Sequence, residues 1–562
     1  MKAFEFKPKL FTTLQNYSKE SFMADLMAGI IVGIVALPLA IAFGIASGVS
    51  PEKGIITAIV AGFIISLLGG SKVQIGGPTG AFIVIIYGII QEYGISGLTV
   101  ATLMAGVLLI LLGVFKLGAV IKFIPYPIIV GFTSGIAVTI FTTQIADIFG
   151  LNFGGEKIPG DFIGKWMMYF RHFDTVNWWN AIVSIVSVLI IALTPRFSKK
   201  IPGSLIAIIV VTIAVYLMKT YGGITCIDTI GDRFTIQSQL PDAVVPELNW
   251  EAIKNLFPVA ITIAVLGAIE SLLSAAVADG VIGDRHDSNT ELIAQGAANI
   301  IAPLFGGIPA TGAIARTMTN INNGGRTPIA GIIHAIVLLL IFLFLMPLIK
   351  LVPMSCLAGV LIVVSYNMSG WRTVRSLLKN PKSDVSVLII TFLLTVIFNL
   401  TIAIEIGLLL AVVLFLRRMT ETTQISVLHD ELDIATGTES TTHEVLKVAK
   451  GVEVYEIEGP FFFGVATKFD ELMRSMADRP LVRIIRMRKV PFIDSTAIHN
   501  LEILITSSQK EKIHVILSGV NPTVHATLKK ANIDRLIGDD HICDHITKAV
   551  AKANEFVAEM KK

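Results

Sequence analysis

The chain has 562 residues, of which 53% are hydrophobic and only 15% charged, and its mean hydropathy is +0.74. A soluble chain carries charge on about a quarter of its residues, so this balance argues against a soluble protein and for an integral membrane protein. The net charge of +3 is spread as short basic clusters between apolar runs, such as LRRM at 416 to 419, which is the pattern of membrane topology and not of a nucleic-acid surface.

The first 24 residues are charged and amphipathic, with no small-residue cleavage motif after a short apolar core. They are expected to lie on the cytoplasmic membrane surface. From 25 to 418 the chain reads as about fourteen membrane segments, taking roughly 20 apolar residues as one crossing. They begin near Asp25, Gly54, Pro78, Gly97, Ile121, Trp178, Gly203, Phe257, Glu291, Thr311, Thr327, Met354, Asp384 and Thr401. An even count puts both termini on one side. Lys116, Lys122, Arg196, Arg372, Arg375, Lys379, Arg417 and Arg418 fall on that same side, so it is the cytoplasm, and the expected location is a bacterial inner membrane.

Two of these segments are short. They stand third in the first seven and third in the second seven, and they carry echoing motifs, GGPTGAF at 76 to 82 and GGIPATGAIAR at 306 to 316. An odd number of spans per half inverts the second half relative to the first. Broken helices in matching positions of inverted repeats mark a binding site at the centre of the membrane.

The residues after Arg418 are polar and threonine-rich, and 419–450 reads as a linker. From 451 to 562 strands such as VEVYEIEG and IHVILSG alternate with amphipathic helices, which gives a small α/β domain. Cys226, Cys356 and Cys543 are far apart and lack metal-ligand spacing, so neither a disulfide framework nor a metal or cofactor site is expected.

A helix that begins inside a bilayer exposes unsatisfied N–H groups and about half a positive charge. Two such ends, near Thr79 and Thr311, would hold an anion between them. Gly80 and Gly312 permit close backbone approach; packing and kinking of helices is the plainer use of the same residues. Arg316 and Glu270 are the expensive groups of the membrane region, and each marks a site or a pair. Glu270 either neutralises Arg316 or sets the charge of the site. Two helix ends and Arg316 give about +2, an ionised Glu270 lowers this to about +1, and protonation restores it. Proton and divalent anion would then move together.

The motifs ALPLAIAFGIASGV (36 to 49), GGPTGAF, IPYPIIVGFTSGIAV (124 to 138), GAIESLL and NIIAPLFGGIPATGAIART (299 to 317), followed by an α/β tail, resemble the SulP family of anion transporters with a cytoplasmic STAS domain. The resemblance implies seven plus seven inverted spans, a core part moving against a gate part, alternating access and a homodimer. It places the anion between Thr79, Gly80 and Ala81 and Ala310, Thr311 and Gly312, with Phe43 as an aromatic wall and Arg316 as the basic residue. It puts Glu270 and Ser274 where sodium-coupled bicarbonate members bind their cation. Those members carry Asp at the position of Glu270, which favours a proton over sodium here. In the tail, KVPFIDSTAIHN resembles the STAS motif, so Asp494 or Ser495 caps a helix, and Ser495 is a candidate regulatory phosphorylation site.

The expected function is secondary active transport, by proton symport, of sulfate-like anions or C4-dicarboxylates. Sodium-coupled bicarbonate symport, an uncoupled channel and a nucleobase transporter of the same architecture are the alternatives, as is a membrane anion sensor signalling through the tail. No nucleophile, base and orienting group occur together, and no GxxxxGK[ST] loop is present, so neither an enzyme nor an ATP-driven pump is expected. The expected partners are a small anion, the lipid bilayer, a second copy and cytoplasmic proteins at the STAS domain, with no nucleic acid.

Overall fold

Apolar runs as long as a bilayer is thick satisfy their backbone in lipid by becoming helices. The computed structural model describes residues 6–15, 17–119, 125–156, 158–197, 202–235, 239, 241–244, 246, 250–398, 400–428, 431–433, 445–465 and 480–560. They divide into two units, Met1–Ala411 and Val412–Lys562.

In the membrane unit the first half consists of α1 (Lys9–Leu14), α2 (Lys19–Ala46), α3 (Pro51–Leu68), α4 (Ile83–Val114), α5 (Tyr126–Phe149), α6 (Phe162–Arg171), α7 (Trp178–Phe197) and α8 (Gly203–Tyr221). The second half begins with a single turn, α9 (Ile230–Arg233), and continues through α10 (Trp250–Ile282), α11 (Ser288–Leu304), α12 (Ile314–Asn322), α13 (Pro328–Phe344), α14 (Met346–Ile349), α15 (Met354–Ser369), α16 (Trp371–Leu377), α17 (Lys382–Ile397) and α18 (Leu400–Thr422). Among the described residues, eight helices are long and apolar enough to cross a membrane by themselves. The α4 helix is two of the expected spans in one, divided at Gly94, whose φ of 68° is open to glycine. With α4 so divided, α11, α12, α13, α17 and α18 complete the expected series, each starting within about two helical turns of its sequence estimate.

Capping residues set several starts. Ser18 accepts from Ser21 N at the head of α2, Asp287 from Thr290 N at α11, and Thr327 from Ile329 N ahead of Pro328 at α13. The first membrane span, α2, begins at Lys19, six residues before the expected Asp25, because Ser18 caps it there. The N-terminal segment is also tied down: Lys9 N donates to Gly69 O at 2.9 Å.

Between α3 and α4, and again between α11 and α12, the chain is extended and enters the bundle interior. There β1 (Gly76–Gly77) pairs antiparallel with β2 (Thr311–Gly312), Gly76 opposite Gly312 and Gly77 opposite Thr311. Backbone that is not helical survives at this depth only where its polar groups find partners. Side chains of α11 supply them. Glu291 Oε2 accepts from Gly70 N (2.9 Å) and Ser71 N (3.1 Å), and its Oε1 accepts from the side-chain amides of Gln74 (2.9 Å) and Gln295 (2.8 Å). Asn299 clamps Ala310 from both sides, donating to its carbonyl at 2.8 Å and accepting from its N–H at 2.9 Å.

At the periphery α7 and α8 bury only 33% and 17% of their apolar windows within the chain, leaving residues such as Ile185, Leu189, Ile209 and Ile213 exposed. Such faces are stable against lipid, not water.

The second unit holds a five-stranded sheet in the order β3 (Gln424–Leu428), β6 (Val452–Glu458), β7 (Val482–Lys489), β8 (His514–Ser518), β9 (Ile542–Cys543), with β4 (Glu431–Asp433) and β5 (Val445–Lys447) paired separately. All neighbours are parallel except β3 with β6. Its helices among the described residues are α19 (Ser495–Lys510), α20 (Pro522–Lys530), α21 (Ile533–Ile537) and α22 (Ile546–Met560). Tyr455, Ile485 and Leu517 pack with Leu501 and Ile505 of α19 on one face, while Val454, Ile484 and Ile516 pack with Val550 and Val557 of α22 on the other. Burial on both faces fits the apolar run of β8 (HVILS), while β6 and β7 also bury charged residues, among them Glu456 and Arg486, which pair at 3.4 Å.

The stretch 419–450, expected as a linker, is structured where it is described. Its first residues end α18, and Gln424–Leu428 forms the sheet's antiparallel edge strand, because TQISVL alternates polar and apolar residues at the strand period. Residues 434–444 lie outside the described residues.

Candidate functional site

The strand pair decides where the two short helices begin. Thr79 precedes a single 3-10 turn, Gly80–Phe82, which leads into α4, and Ala313 precedes α12. Gly312 N donates to Ser271 Oγ (3.2 Å) and Ala313 N to Ile75 O (2.9 Å), so the second half-helix exposes its N–H groups from Ile314 onward and not at Thr311. The N–H groups of Gly80, Ala81, Ile314 and Ala315 have no protein acceptor among the described residues. All four residues line one cavity of about 480 Å³, together with Phe43, Thr79, Glu270, Gly312, Arg316, Asn367 and Met368. The cavity reaches Tyr126 at the start of α5 and Gly370 at the end of α15, both on the side where the membrane unit's chain enters and leaves. Ile129 and Leu273 are shared with a further cavity of about 600 Å³ lined by Asp279, Asp284, Arg285 and His286.

The two ionisable groups do not pair with each other among the described contacts. Glu270 Oε2 accepts a hydrogen bond from Thr79 Oγ1 at 3.0 Å. Arg316 is 2% exposed, and its Nη2 donates to the Pro78 carbonyl at 2.8 Å, while Nη1 has no hydrogen-bond partner among the described residues. Carboxylate and guanidinium thus hold successive residues of the same loop, and the reading in which Glu270 neutralises Arg316 by direct contact is set aside. Gly77 makes room for this arrangement: its φ is +151°, and a Cβ there would sit 2.1 Å from Arg316 Nη1.

Of the sequence-derived site residues, Phe43, Thr79, Gly80, Ala81, Gly312, Arg316 and Glu270 line the cavity. Ala310, Thr311 and Ser274 do not. Thr311 is fully buried, its hydroxyl 2.9 Å from Gly267 O and 2.6 Å from Ser271 Oγ. Ala310 is held by Asn299, and Ser274 Oγ turns to Thr317 Oγ1 at 3.4 Å. These three support the loop, because strand pairing and the small space beside α10 direct their polar atoms away from the opening. Ile314, Ala315, Asn367 and Met368 were not legible as site residues. Glu291, Gln295 and Asn299 left a signal: three polar residues spaced by four put one polar stripe on an otherwise apolar helix.

In the second unit Asp494 is the cap of α19. It accepts from Ala497 N at 2.8 Å and from Phe463 N at 3.0 Å. Ser495 is exposed at the first helical position.

Inverted helical halves around a central cavity, followed by an α/β unit, define a helical membrane transporter with a C-terminal α/β domain. The chain belongs to the sulfate permease family: residues 22–391 match that family and residues 445–553 match the STAS domain. It is 42% identical over 534 residues to YvdB of Bacillus subtilis (strain 168), a protein provisionally named as a sulfate transporter, covering 94% of this chain and 98% of the relative. The structure of the transmembrane domain of a cyanobacterial bicarbonate transporter, BicA, is similar with a TM-score of 0.61 and 29% identity, over 70% of this chain and 98% of that one. The murine anion transporter Slc26a9 in its inward-facing state gives a TM-score of 0.86 over 98% of this chain and 94% of that one; at 18% identity this speaks for the fold.

Proposed function

We propose that the protein is a secondary active transporter of small oxyanions, sulfate-like anions or C4-dicarboxylates, which moves each anion with a proton carried by Glu270. Its setting is a bacterial inner membrane with both termini in the cytoplasm, as a homodimer. The observation that carries the reading is the Thr79–Glu270 hydrogen bond at the wall of a cavity that four free backbone N–H groups and Arg316 also line. Unpaired donors at two helix ends attract an anion. An ionised Glu270 opposes that attraction, and a protonated one does not.

The family match and the relative named as a sulfate transporter support the substrate class. The BicA likeness keeps bicarbonate with sodium as the competing reading. Ser274 favours the proton: a sodium ion at Glu270 needs several oxygen ligands, and the Ser274 hydroxyl is turned to Thr317. Ser495, exposed beside the Asp494 cap, is proposed as a site of phosphorylation that regulates transport.

The test is uptake of labelled sulfate, succinate and bicarbonate into liposomes under imposed proton or sodium gradients. Uptake of one oxyanion driven by an inward proton gradient supports the reading. Uptake that follows sodium, or that dissipates without either gradient, replaces it with the symporter or the channel.

A further inference from the structure

A third cavity lies at the other end of the membrane unit from the anion cavity. It measures about 710 Å³ and is lined by the far end of α2 (Ile45, Ala46), by the end of α5 and by α6. Most of its charge is already committed. Arg233 pairs with Asp147 at 2.5 Å and with Asp228 at 3.1 Å. Lys165 is different. It is 4% exposed, and the only contact described for its ammonium is the face of the Tyr87 ring, 4.6 Å away, with no hydrogen bond or ion pair among the described residues. Burying an unpaired ammonium is costly, and a ring face offsets only part of that. Burial pulls its pKa below the ordinary lysine value, with the charge of Asp161 pulling partly back. An oxyanion beside it would complete the pair.

The position of Lys165 relative to the anion cavity is as telling as its lack of a partner. It lines both the outer cavity and a smaller one of about 180 Å³ that follows α4 through Ile83, Val84 and Tyr87. Ile83 lies two residues beyond Ala81, which lines the anion cavity. Ala81 and Tyr87 are six residues apart, about 9 Å along a helix. A single buried cation therefore stands where the outer cavity narrows onto the helix that holds the anion at its other end.

We propose that Lys165 forms an outer binding site for the transported oxyanion, occupied from the side opposite the termini before the anion reaches Thr79. This rests on the anion-transport reading. Thr143, which lines both outer cavities, and Tyr87 are placed to complete the site.

The experiment compares wild type, Lys165→Met and Lys165→Arg. Half-saturation by sulfate is measured from the outer face in right-side-out vesicles and from the inner face in inverted ones. The expected result for Lys165→Met is an outer value raised by about tenfold with the inner value unchanged, and for Lys165→Arg a return to within about twofold of wild type. An unchanged outer value, or an equal rise on both faces, overturns the proposal. Equilibrium binding of labelled sulfate to the purified full chain provides a reading that needs no transport. The wild type should bind about two sulfates and Lys165→Met about one; one in both overturns the outer site. Two sites without any uptake would leave the outer site standing and refute the transport reading instead.

Discussion

Thr79 Oγ1 donates to the Glu270 carboxylate at 3.0 Å, while the carbonyl of the preceding Pro78 accepts from Arg316 at 2.8 Å. One dipeptide at the head of a half-helix is therefore gripped by both ionisable groups of the site. A change of charge at Glu270 acts on the loop that presents the free N–H groups of Gly80 and Ala81. The proposed coupling of proton to anion needs no longer path than this.

Removing the Arg316 guanidinium should weaken anion binding and also leave the Pro78 carbonyl unsatisfied. Arg316→Met is expected to raise the half-saturating anion concentration by at least about tenfold, equivalent to roughly 1.4 kcal/mol. Arg316→Lys keeps the charge but loses the planar fork, and should fall between the two. Uptake titrations of the three proteins check the order.

Gly77→Ala places a methyl group 2.1 Å from Arg316 Nη1 at a φ of +151°. Backbone strain of this kind costs on the order of 1–3 kcal/mol, before the guanidinium has to move. A lower melting temperature together with weakened uptake is expected. Normal uptake in a fully stable variant would show that the Gly77 loop can relax.

Glu291 takes four hydrogen bonds and gives none. In Glu291→Gln one oxygen becomes a donor facing donors. The expected loss is about 1–3 kcal/mol of stability, read as a melting shift of the purified protein. Any transport that survives should keep its dependence on the proton gradient, since Glu291 does not line the anion cavity.

Much of the membrane unit could be read from the sequence because lipid leaves few choices: long apolar runs became helices, and the two short segments fell third in each half. The finer placement depends on pairing across 236 positions. No local signal tells that Gly76 faces Gly312, so the sequence pattern starts the second half-helix at Thr311 and makes this buried residue a ligand. The family resemblance puts Ser274 beside Glu270 as a cation ligand, whereas the structure turns its hydroxyl to Thr317 Oγ1 at 3.4 Å. The edge strand Gln424–Leu428 was masked by its threonine-rich surroundings, although its alternation was visible.

In the STAS domain, Asp494→Ala removes acceptors for Ala497 N and Phe463 N. Loss of a helix cap costs about 1 kcal/mol, and faster amide exchange at the start of α19 should reveal it. Ser495→Ala should leave that exchange unchanged, because Ser495 is not the cap.

Asp232 provides the control for pH experiments. A hydrogen bond from Lys219 is the main cause holding its carboxyl down to about 2, with Thr229 N–H and hydroxyl adding to it against the cost of burial. A carboxyl lowered on folding contributes stability above its unfolded value near 4 and loses it as the pH falls through about 2. Asp232→Asn should therefore leave the pH profile of uptake between 5 and 8 unchanged, as read in the same liposomes.

The most direct test of the central claim is the initial rate of sulfate uptake by wild type and Glu270→Gln, with and without an inward proton gradient at fixed internal pH. The expected result is a wild-type rate that rises with the gradient and a Glu270→Gln rate that is indifferent to it, with exchange of labelled for unlabelled anion retained. A Glu270→Gln protein whose uptake still accelerates with the proton gradient would contradict the account, because the coupling proton would then travel elsewhere.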